Sequence, residues 1–184
     1  FDPDPEVIFS KKKKQYLTTL RQKKEYLYSL GIEEIIIIPF SKEMSYIGKE
    51  KFIELFLNNF NLDTLICGKD FKFGHKGQGS SDYLFKTSLK NFKVVVLEHV
   101  LYNEEKISST LIGNFIREGN LDLAKQLLNH DYSIEASIKN YTISTENIVP
   151  LKGEYDVLIN FEKYVLKNNT IDFPDEKKVK IIFI

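Results

Sequence analysis

The sequence predicts an α/β fold built on a parallel sheet, followed by a small antiparallel β unit. Short β-branched runs at Ile35–Phe40, Leu62–Cys67 and Val94–Leu97 alternate with stretches of helical periodicity, which calls for parallel strands joined by right-handed crossovers. Beyond His130 the period changes to two, with Tyr132, Ile134, Ala136 and Ile138 alternating as one run and Tyr155, Val157 and Ile159 as another. A parallel sheet of this kind binds ligands outside the carboxyl ends of its strands, so the loops that follow those runs are where a site is expected.

In chain order, Phe1–Pro5 (Phe-Asp-Pro-Asp-Pro) is too rich in proline for a helix or a central strand and reads as the loop leaving a strand. From Tyr16 to Leu30, Leu17, Leu20, Leu27 and Leu30 recur on one helical face, and Gly31 supplies the stop. Ile35–Phe40 has the composition of a strand buried on both faces. Phe52, Ile53, Phe56, Leu57 and Phe60 make an amphipathic helix, Leu62–Cys67 a second buried strand ended by Gly68, Asp82–Leu89 a helix, and Val94–Leu97 a third strand. Two helices follow, Ser109–Glu118 and Leu121–Leu128. A boundary near Asp131 divides the chain into an α/β domain over residues 1–131 and a shortened β module over 132–184, which closes with a strand at Val179–Ile184.

Composition narrows the functional classes. The 26 basic residues balance 26 acidic ones, so there is no overall positive field of the kind that gathers nucleic acid, and Lys11–Lys14 reads as a solvated cluster. No apolar run approaches the roughly 18 residues of a membrane span. The lone Cys67 lies in an apolar run as a small core residue, and without a disulfide framework the cytoplasm is the expected compartment. Arg21 and Arg117 are the only arginines. A phosphate clamp here must therefore rely on lysine, hydroxyls and backbone N–H groups rather than on planar bidentate guanidinium.

Two segments carry the chemistry. Gly68-Lys69-Asp70-Phe71-Lys72-Phe73-Gly74 runs on to Gly77 and Gly79 directly after a predicted parallel strand. Its glycines permit close approach of backbone to a ligand, Asp70 accepts hydrogen bonds, and Phe71 or Phe73 either lines a ring-sized slot or tucks into the core. Lys76 is followed by Gly77 rather than Ser or Thr, so this is no Walker motif. The second segment is Ile107-Ser108-Ser109-Thr110, where an extended stretch becomes a helix. Hydroxyls there either cap the helix or, with its free N–H groups and positive dipole end, hold phosphate.

These pieces, with Gly119-Asn120-Leu121, Ala124, Leu127-Leu128 and Tyr132-x-Ile134, stand in the order and at the spacing of bifunctional riboflavin kinase/FMN adenylyltransferases, and the chain resembles that family from Phe1 to Ile138. Phe1-x-Pro3-Asp4-Pro5 is similar to the family's Pro-His-Pro loop. The resemblance implies a nucleotidyltransferase-like domain that transfers AMP from ATP to FMN, with Mg²⁺, giving FAD and pyrophosphate. It implies that Ser109 and Thr110 are catalytic, that ATP lies against Ser108, Ser109, Thr110, Arg117, Pro3 and Asp4, and that the flavin lies against Gly68, Asp70, Phe71 and Phe73. His75, His99 and His130 match no family histidine and read as surface or structural residues. The expected partners are small-molecule nucleotides and flavins, with no nucleic acid and no membrane.

The chain also departs from the family pattern. The family's first phosphate-binding segment is expected ahead of Phe1, so an N-terminal strand and helix are expected to be missing from this sequence. Asp4 stands where the family has histidine, and Gly113 where it has arginine, with Arg117 one turn further along the same face, about 6 Å away. Ser144-Thr145-Glu146-Asn147-Ile148 resembles the riboflavin kinase's Pro-Thr-Ala-Asn-Ile motif, which implies Mg²⁺ and phosphate at Thr145 and Asn147. The glycine-rich stretch before it is shortened, however, and no counterpart of the kinase's catalytic glutamate is evident, which puts kinase activity in doubt. Two further readings stay open: a non-catalytic flavin- or nucleotide-binding descendant, and an adenylyltransferase acting on another small phosphate ester.

Overall fold

The structure, a computed structural model, describes residues 1–10, 14–57, 59–87 and 92–184. Lys11 to Lys13 of the lysine cluster and the Leu89 end of the helix predicted from Asp82 lie outside the described residues. The first elements are α1 (Pro5–Phe9), α2 (Leu20–Ser29), α3 (Lys49–Phe52), β1 (Thr64–Gly68), β2 (Lys72–Phe73), β3 (Gly79–Ser80), α4 (Ser81–Thr87), β4 (Lys93–Leu97) and β5 (Leu101–Tyr102). There follow β6 (Glu105–Lys106), α5 (Ser109–Glu118), α6 (Leu121–Leu128), β7 (Ser133–Lys139), β8 (Thr142–Thr145), β9 (Glu154–Ile159), β10 (Glu162–Lys167), β11 (Thr170–Ile171) and β12 (Glu176–Phe183). The chain forms two compact units, Phe1–Lys11 with Ile37–Glu104, and Lys12–Ile36 with Glu105–Ile184. It is mixed α/β, with a parallel strand pair in the first unit and a separate antiparallel β module in the second.

In the first unit β1 and β4 pair in parallel from Thr64↔Lys93 to Gly68↔Leu97, as the alternation of strands and helices predicts. Expected burial on both faces is met on one face only. Leu65 and Cys67 turn toward a core of Phe52, Phe73, Leu84 and Val94, whereas Ile66, pointing the other way as strand geometry requires, is 61% exposed. Burial pushes the Cys67 thiol above its usual pKa, in keeping with a packing role. The strand predicted at Ile35–Phe40 does not form. Asp2 makes a single bridge to Pro39, with the Asp2 N–H donating to the Ile38 carbonyl at 3.0 Å and the Phe40 N–H to the Asp2 carbonyl at 3.1 Å. Pro39 has no N–H to extend a ladder, and β-branched composition alone does not make a strand without a paired neighbour.

In the second unit α2 starts later than its leucine pattern predicts because Thr19 caps it. The Thr19 hydroxyl accepts from the Gln22 N–H at 3.2 Å and Gln22 Oε1 accepts from the Thr19 N–H at 2.9 Å, a capping box. The predicted apolar stripe is not what this helix buries, since Leu20 and Leu30 are exposed and Gln22 is the buried residue. The six strands of the β module pair in the order β10-β11-β8-β7-β12-β9, the last returning to the first as a closed barrel. Ile134, Ala136 and Ile138 of β7 point inward by the predicted alternation and meet Val157, Ile159 and Ile181. Each fully buried valine or isoleucine among them contributes roughly 1.5–3 kcal/mol over leaving it in water.

Ile112 and Ile116 of α5 and Ala124 of α6 belong to that same core. The change of texture at Asp131 thus marks the passage from helices to strands inside one compact unit. Three barrel turns, Asn140-Tyr141, Asn160-Phe161 and Asn168-Asn169, have positive φ at both central residues, from 46° to 69°, the backbone that matches right-handed strand twist. Among the described residues no helix is long and apolar enough to cross a membrane.

Candidate functional site

The glycine-lined loop leaves the carboxyl end of β1, where a parallel sheet is expected to bind. Its first bonds keep it against β4 and α4. The Lys69 N–H donates to the Leu97 carbonyl at 2.9 Å, the Phe71 N–H to the Gly68 carbonyl at 3.0 Å, and the Ser81 hydroxyl to the Lys69 carbonyl at 2.9 Å. Asp70 stands at the turn, its Oδ1 3.2 Å from where a Cβ on Gly68 would lie, so the glycine leaves room for that carboxylate. Gly74 has φ +72°, and a Cβ there would lie 2.7 Å from the Lys49 backbone nitrogen. Both facts require glycine at this position.

The two phenylalanines of the loop divide between the alternatives the sequence leaves open. Phe73 is 4% exposed and belongs to the first unit's core, packed at 5.0 Å from the Phe52 ring, and Gly79 lies under it so closely that a Cβ would meet the ring at 2.5 Å. Phe71 is half-buried and stacks on Phe73 at 5.6 Å, with the rings 24° apart. Of the pair, Phe71 retains surface that a ligand can touch. Lys49 joins the loop from outside it, its ammonium 4.0 Å from the centre of the Tyr83 ring and its backbone against Gly74. A lysine three residues ahead of a core phenylalanine carries no motif that would reveal it.

Pro3 and Asp4 belong to the first unit as well. Asp4 caps α1, accepting the Glu6 N–H at 2.9 Å, and the Asp2–Pro3 peptide is cis. The His75 Nδ1 lies 2.8 Å from the Ser45 carbonyl, and its ring stacks on Tyr46. His130 lies against Tyr26 at 4.7 Å in the second unit.

The hydroxyl-rich helix start is in the second unit, at the head of α5. Ser108 is the N-cap, its hydroxyl accepting the Leu111 N–H at 3.2 Å, and Ser109 and Thr110 are the first two helical residues, both exposed. The first N–H groups of a helix have no intrahelical acceptor, so this end offers donors and two hydroxyls to an anion, and no acidic residue stands in its first turn to repel one. Arg117 lies on the same helix, half-buried, with Nη1 3.4 Å from Asn114 Oδ1. Gly113 is buried, and a Cβ on it would come within 2.8 Å of Ile148 Cδ1.

Thr145 and Asn147 stand in the wall of the β module. The Thr145 hydroxyl donates to the Glu135 carbonyl at 2.5 Å and accepts the Asn147 N–H at 3.0 Å, while Asn147 Oδ1 accepts the Glu135 N–H at 2.9 Å. Asn147 is 0% exposed. Mg²⁺ is reluctant to shed its waters and usually keeps several, so it needs open volume at its ligands, which a wholly buried amide does not offer. Among the described residues there is no group of three His, Cys, Asp or Glu side chains placed to hold a metal.

Comparison with known proteins bears on the whole set. In sequence, the chain is 29% identical over 173 residues to a bifunctional riboflavin kinase/FMN adenylyltransferase of Listeria monocytogenes, covering 85% of this chain and 55% of that one. It is 35% identical over 142 residues to a protein of the same name from Buchnera aphidicola subsp. Schizaphis graminum, covering 75% of this chain and 46% of the other. The chain thus spans about half the length of the curated relatives it matches. In structure, a crystallised macrolide-efflux protein of Streptococcus pneumoniae superposes with a TM-score of 0.82 at 18% identity, over 100% of this chain and 72% of that one, a likeness of fold alone. The FAD synthetase family model matches residues 1–111, a stretch that holds both the glycine-lined loop and the Ser108–Thr110 helix start, and the chain belongs to that family.

Proposed function

We propose that the chain carries FMN adenylyltransferase chemistry, transferring AMP from ATP to FMN to give FAD and pyrophosphate. The observation that carries this reading is the Gly68–Gly74 loop at the carboxyl end of a parallel strand, within the residues the FAD synthetase model matches. In the reaction a phosphate oxygen of FMN attacks the α-phosphorus of ATP, a new phosphoanhydride bond forms, and the bond to the β-phosphate breaks as pyrophosphate leaves. The protein's part is to hold the two nucleotides in line and to stabilise the charge that develops. In this reading Ser109 and Thr110 donate to ATP phosphates, with Ser108, Arg117, Pro3 and Asp4 along the same nucleotide, and Gly68, Asp70 and Phe71 meet the flavin. Phe73 supports Phe71 from beneath. Mg²⁺ would be held by the phosphates of ATP and would supply charge neutralisation there.

Residues 1–131 form the nucleotidyltransferase-like part of this reading, and residues 132–184 a shortened relative of the riboflavin kinase barrel, in a cytoplasmic protein. Incubating the chain with FMN, ATP and Mg²⁺ tests it, with FAD fluorescence and pyrophosphate release as the readouts. Both products are expected, and both are expected to fall by at least about tenfold in Ser109→Ala and in Asp70→Asn, as when a positioned donor or acceptor is lost.

A second reading, a non-catalytic binding descendant, draws on the buried Gly113 and on Asp4, whose carboxylate is used as a helix cap. Saturable binding of FMN and ATP with no FAD formed decides in its favour.

A further inference from the structure

A cleft of about 460 Å³ opens within the second unit, between α2 and the outer face of the β7–β12 strand pair. Small-molecule sites run to roughly 300–1,000 Å³, so it has the volume of one. Strand alternation builds its floor. Ile134, Val179, Ile181 and Phe183 turn into the barrel core, so Ser133, Lys180 and Ile182 turn outward toward the helix. Gln22, Tyr26 and Ser29 share one face of α2 by helical spacing, and that face lines the cleft. Gln22 fixes it there, donating to the Ser133 carbonyl at 2.9 Å and accepting from the Asn147 amide at 2.8 Å. One wall is aromatic. The Tyr26 and His130 rings lie 4.7 Å apart at 49°, and the Asp131 carbonyl, which can only accept, holds the His130 Nδ1–H at 2.9 Å. Leu27, Tyr132 and Ile182 add apolar surface.

The charges around the cleft are unevenly committed. Glu25 pairs with Arg21 at 3.3 Å, Asp131 with Lys125 at 2.6 Å, and Glu135 with Arg21 and the Thr19 hydroxyl. Lys180 stands directly opposite Glu135 in the β7–β12 register, yet Arg21 has taken that carboxylate. Lys23 and Lys180 both line the cleft, and among the described residues neither has an ion-pair partner. Lys23, Lys180, Arg21 and Lys125 thus outnumber Glu25, Asp131 and Glu135. We propose that the cleft binds a planar aromatic anion, its ring against Tyr26 and His130 and its charge toward Lys23 and Lys180. Aromatic walls take flat rings by stacking, and two ammoniums that no free carboxylate opposes favour an anionic ring over a neutral or cationic one. None of these residues belongs to the ATP or flavin set of the proposed reaction, so the inference is independent of FAD formation.

Naphthalene-2-sulfonate and its uncharged counterpart 2-naphthol serve as probes, each titrated at neutral pH into the isotope-labelled chain and followed by its backbone amide NMR shifts. Saturable shifts at Tyr26, His130 and Ser133 are expected, with a Kd of about 1 mM or tighter for the sulfonate and weaker binding of the naphthol. Lys23→Ala combined with Lys180→Ala is expected to weaken the sulfonate by about tenfold and to leave the naphthol unchanged, since only charge-assisted contacts are lost. Both lysines are exposed and unpaired, so the double change spares the fold and is expected to keep whatever FAD formation the parent shows. Tyr26→Ala is expected to weaken both probes, and added salt the sulfonate alone. No saturable shift, shifts confined to the Gly68–Gly74 loop or the Ser108–Thr110 helix start, or a sulfonate affinity unchanged in the lysine double variant overturns the inference.

Discussion

The Tyr132 hydroxyl donates to the Ile148 carbonyl at 2.6 Å between two residues of the β-module core. Burial pushes the Tyr132 pKa well above the usual tyrosine value of about 10, and the Arg117 charge opposes that rise without cancelling it. An acid whose folded pKa is raised stays neutral in the fold while the unfolded chain ionises. Its stabilising share is whole below pH of about 10 and is lost as pH climbs from there toward the folded value.

Tyr132→Phe is therefore expected to cost about 1–3 kcal/mol at neutral pH, because the Ile148 carbonyl is left unpaired in the core. Above pH of about 10 the gap between the variant and the parent is expected to narrow. Urea denaturation at a series of pH values measures both. A variant as stable as the parent at pH 7 would contradict the assigned bond.

Gly113 gives a prediction of opposite character. Glycine inside a helix ordinarily costs about 1 kcal/mol relative to alanine, yet a Cβ here meets the end of the Ile148 side chain at 2.8 Å. Gly113→Ala is expected to change stability by less than about 1 kcal/mol, helix propensity offsetting a small shift of Ile148. Gly113→Arg, which restores the residue type of the family pattern, is expected to destabilise by at least about 2 kcal/mol, since the position is buried. It is also expected not to raise FAD formation. Thermal melts with a FAD assay on the same samples separate the two effects.

Local signals were the legible ones. Ser109–Glu118 and Leu121–Leu128 have the predicted bounds because each carries its own cap, Ser108 and Asn120, and its own apolar face. The parallel pair Thr64–Gly68 and Lys93–Leu97 followed from two short apolar runs flanking a helix. What the residue pattern hid depends on distant partners. Ile35–Phe40 has strand composition, but pairing needs a ladder that Asp2 alone does not supply. In α2 the leucines set the period while Gln22, polar and unremarkable in sequence, is the residue that docks, through Asn147, 125 positions away. The asparagine-led turns at Asn140, Asn160 and Asn168 were missed because none has the Asn-Gly pair that usually marks them. Within the candidate site, the loop and helix start were readable from glycine and hydroxyl spacing, whereas Lys49 and the inward turn of Phe73 needed coordinates.

The loop's dependence on Gly74 leads to a third prediction. Gly74→Ala imposes a side chain at φ +72° and drives its Cβ against the Lys49 backbone, which cannot retreat as the end of a side chain can. A loss of about 1–3 kcal/mol is expected, with FMN affinity falling further than ATP affinity because the loop is the flavin side of the proposed site. Titration of each nucleotide separately, with flavin fluorescence for FMN and calorimetry for ATP, measures the split. Equal losses for both nucleotides would assign the loop a purely structural role.

The Asn160-Phe161 turn supports the reverse experiment, a substitution that adds stability. Phe161 sits at φ +69° and is 98% exposed, so its ring gives the fold no packing while its Cβ pays the left-handed penalty. That penalty is roughly 1–2 kcal/mol for a residue other than glycine, asparagine or aspartate, against roughly 0.5–1 kcal/mol of extra chain entropy when glycine is introduced. Phe161→Gly creates the Asn-Gly pair preferred in this turn and is expected to gain about 0.5–1 kcal/mol, with β9 and β10 keeping their Ile159↔Glu162 pairing. Denaturant midpoints measure the gain, and the slope of the transition is expected to stay the same because little apolar surface changes hands. A midpoint that falls would mean that the Phe161 ring is covered in solution and contributes contacts outside this chain.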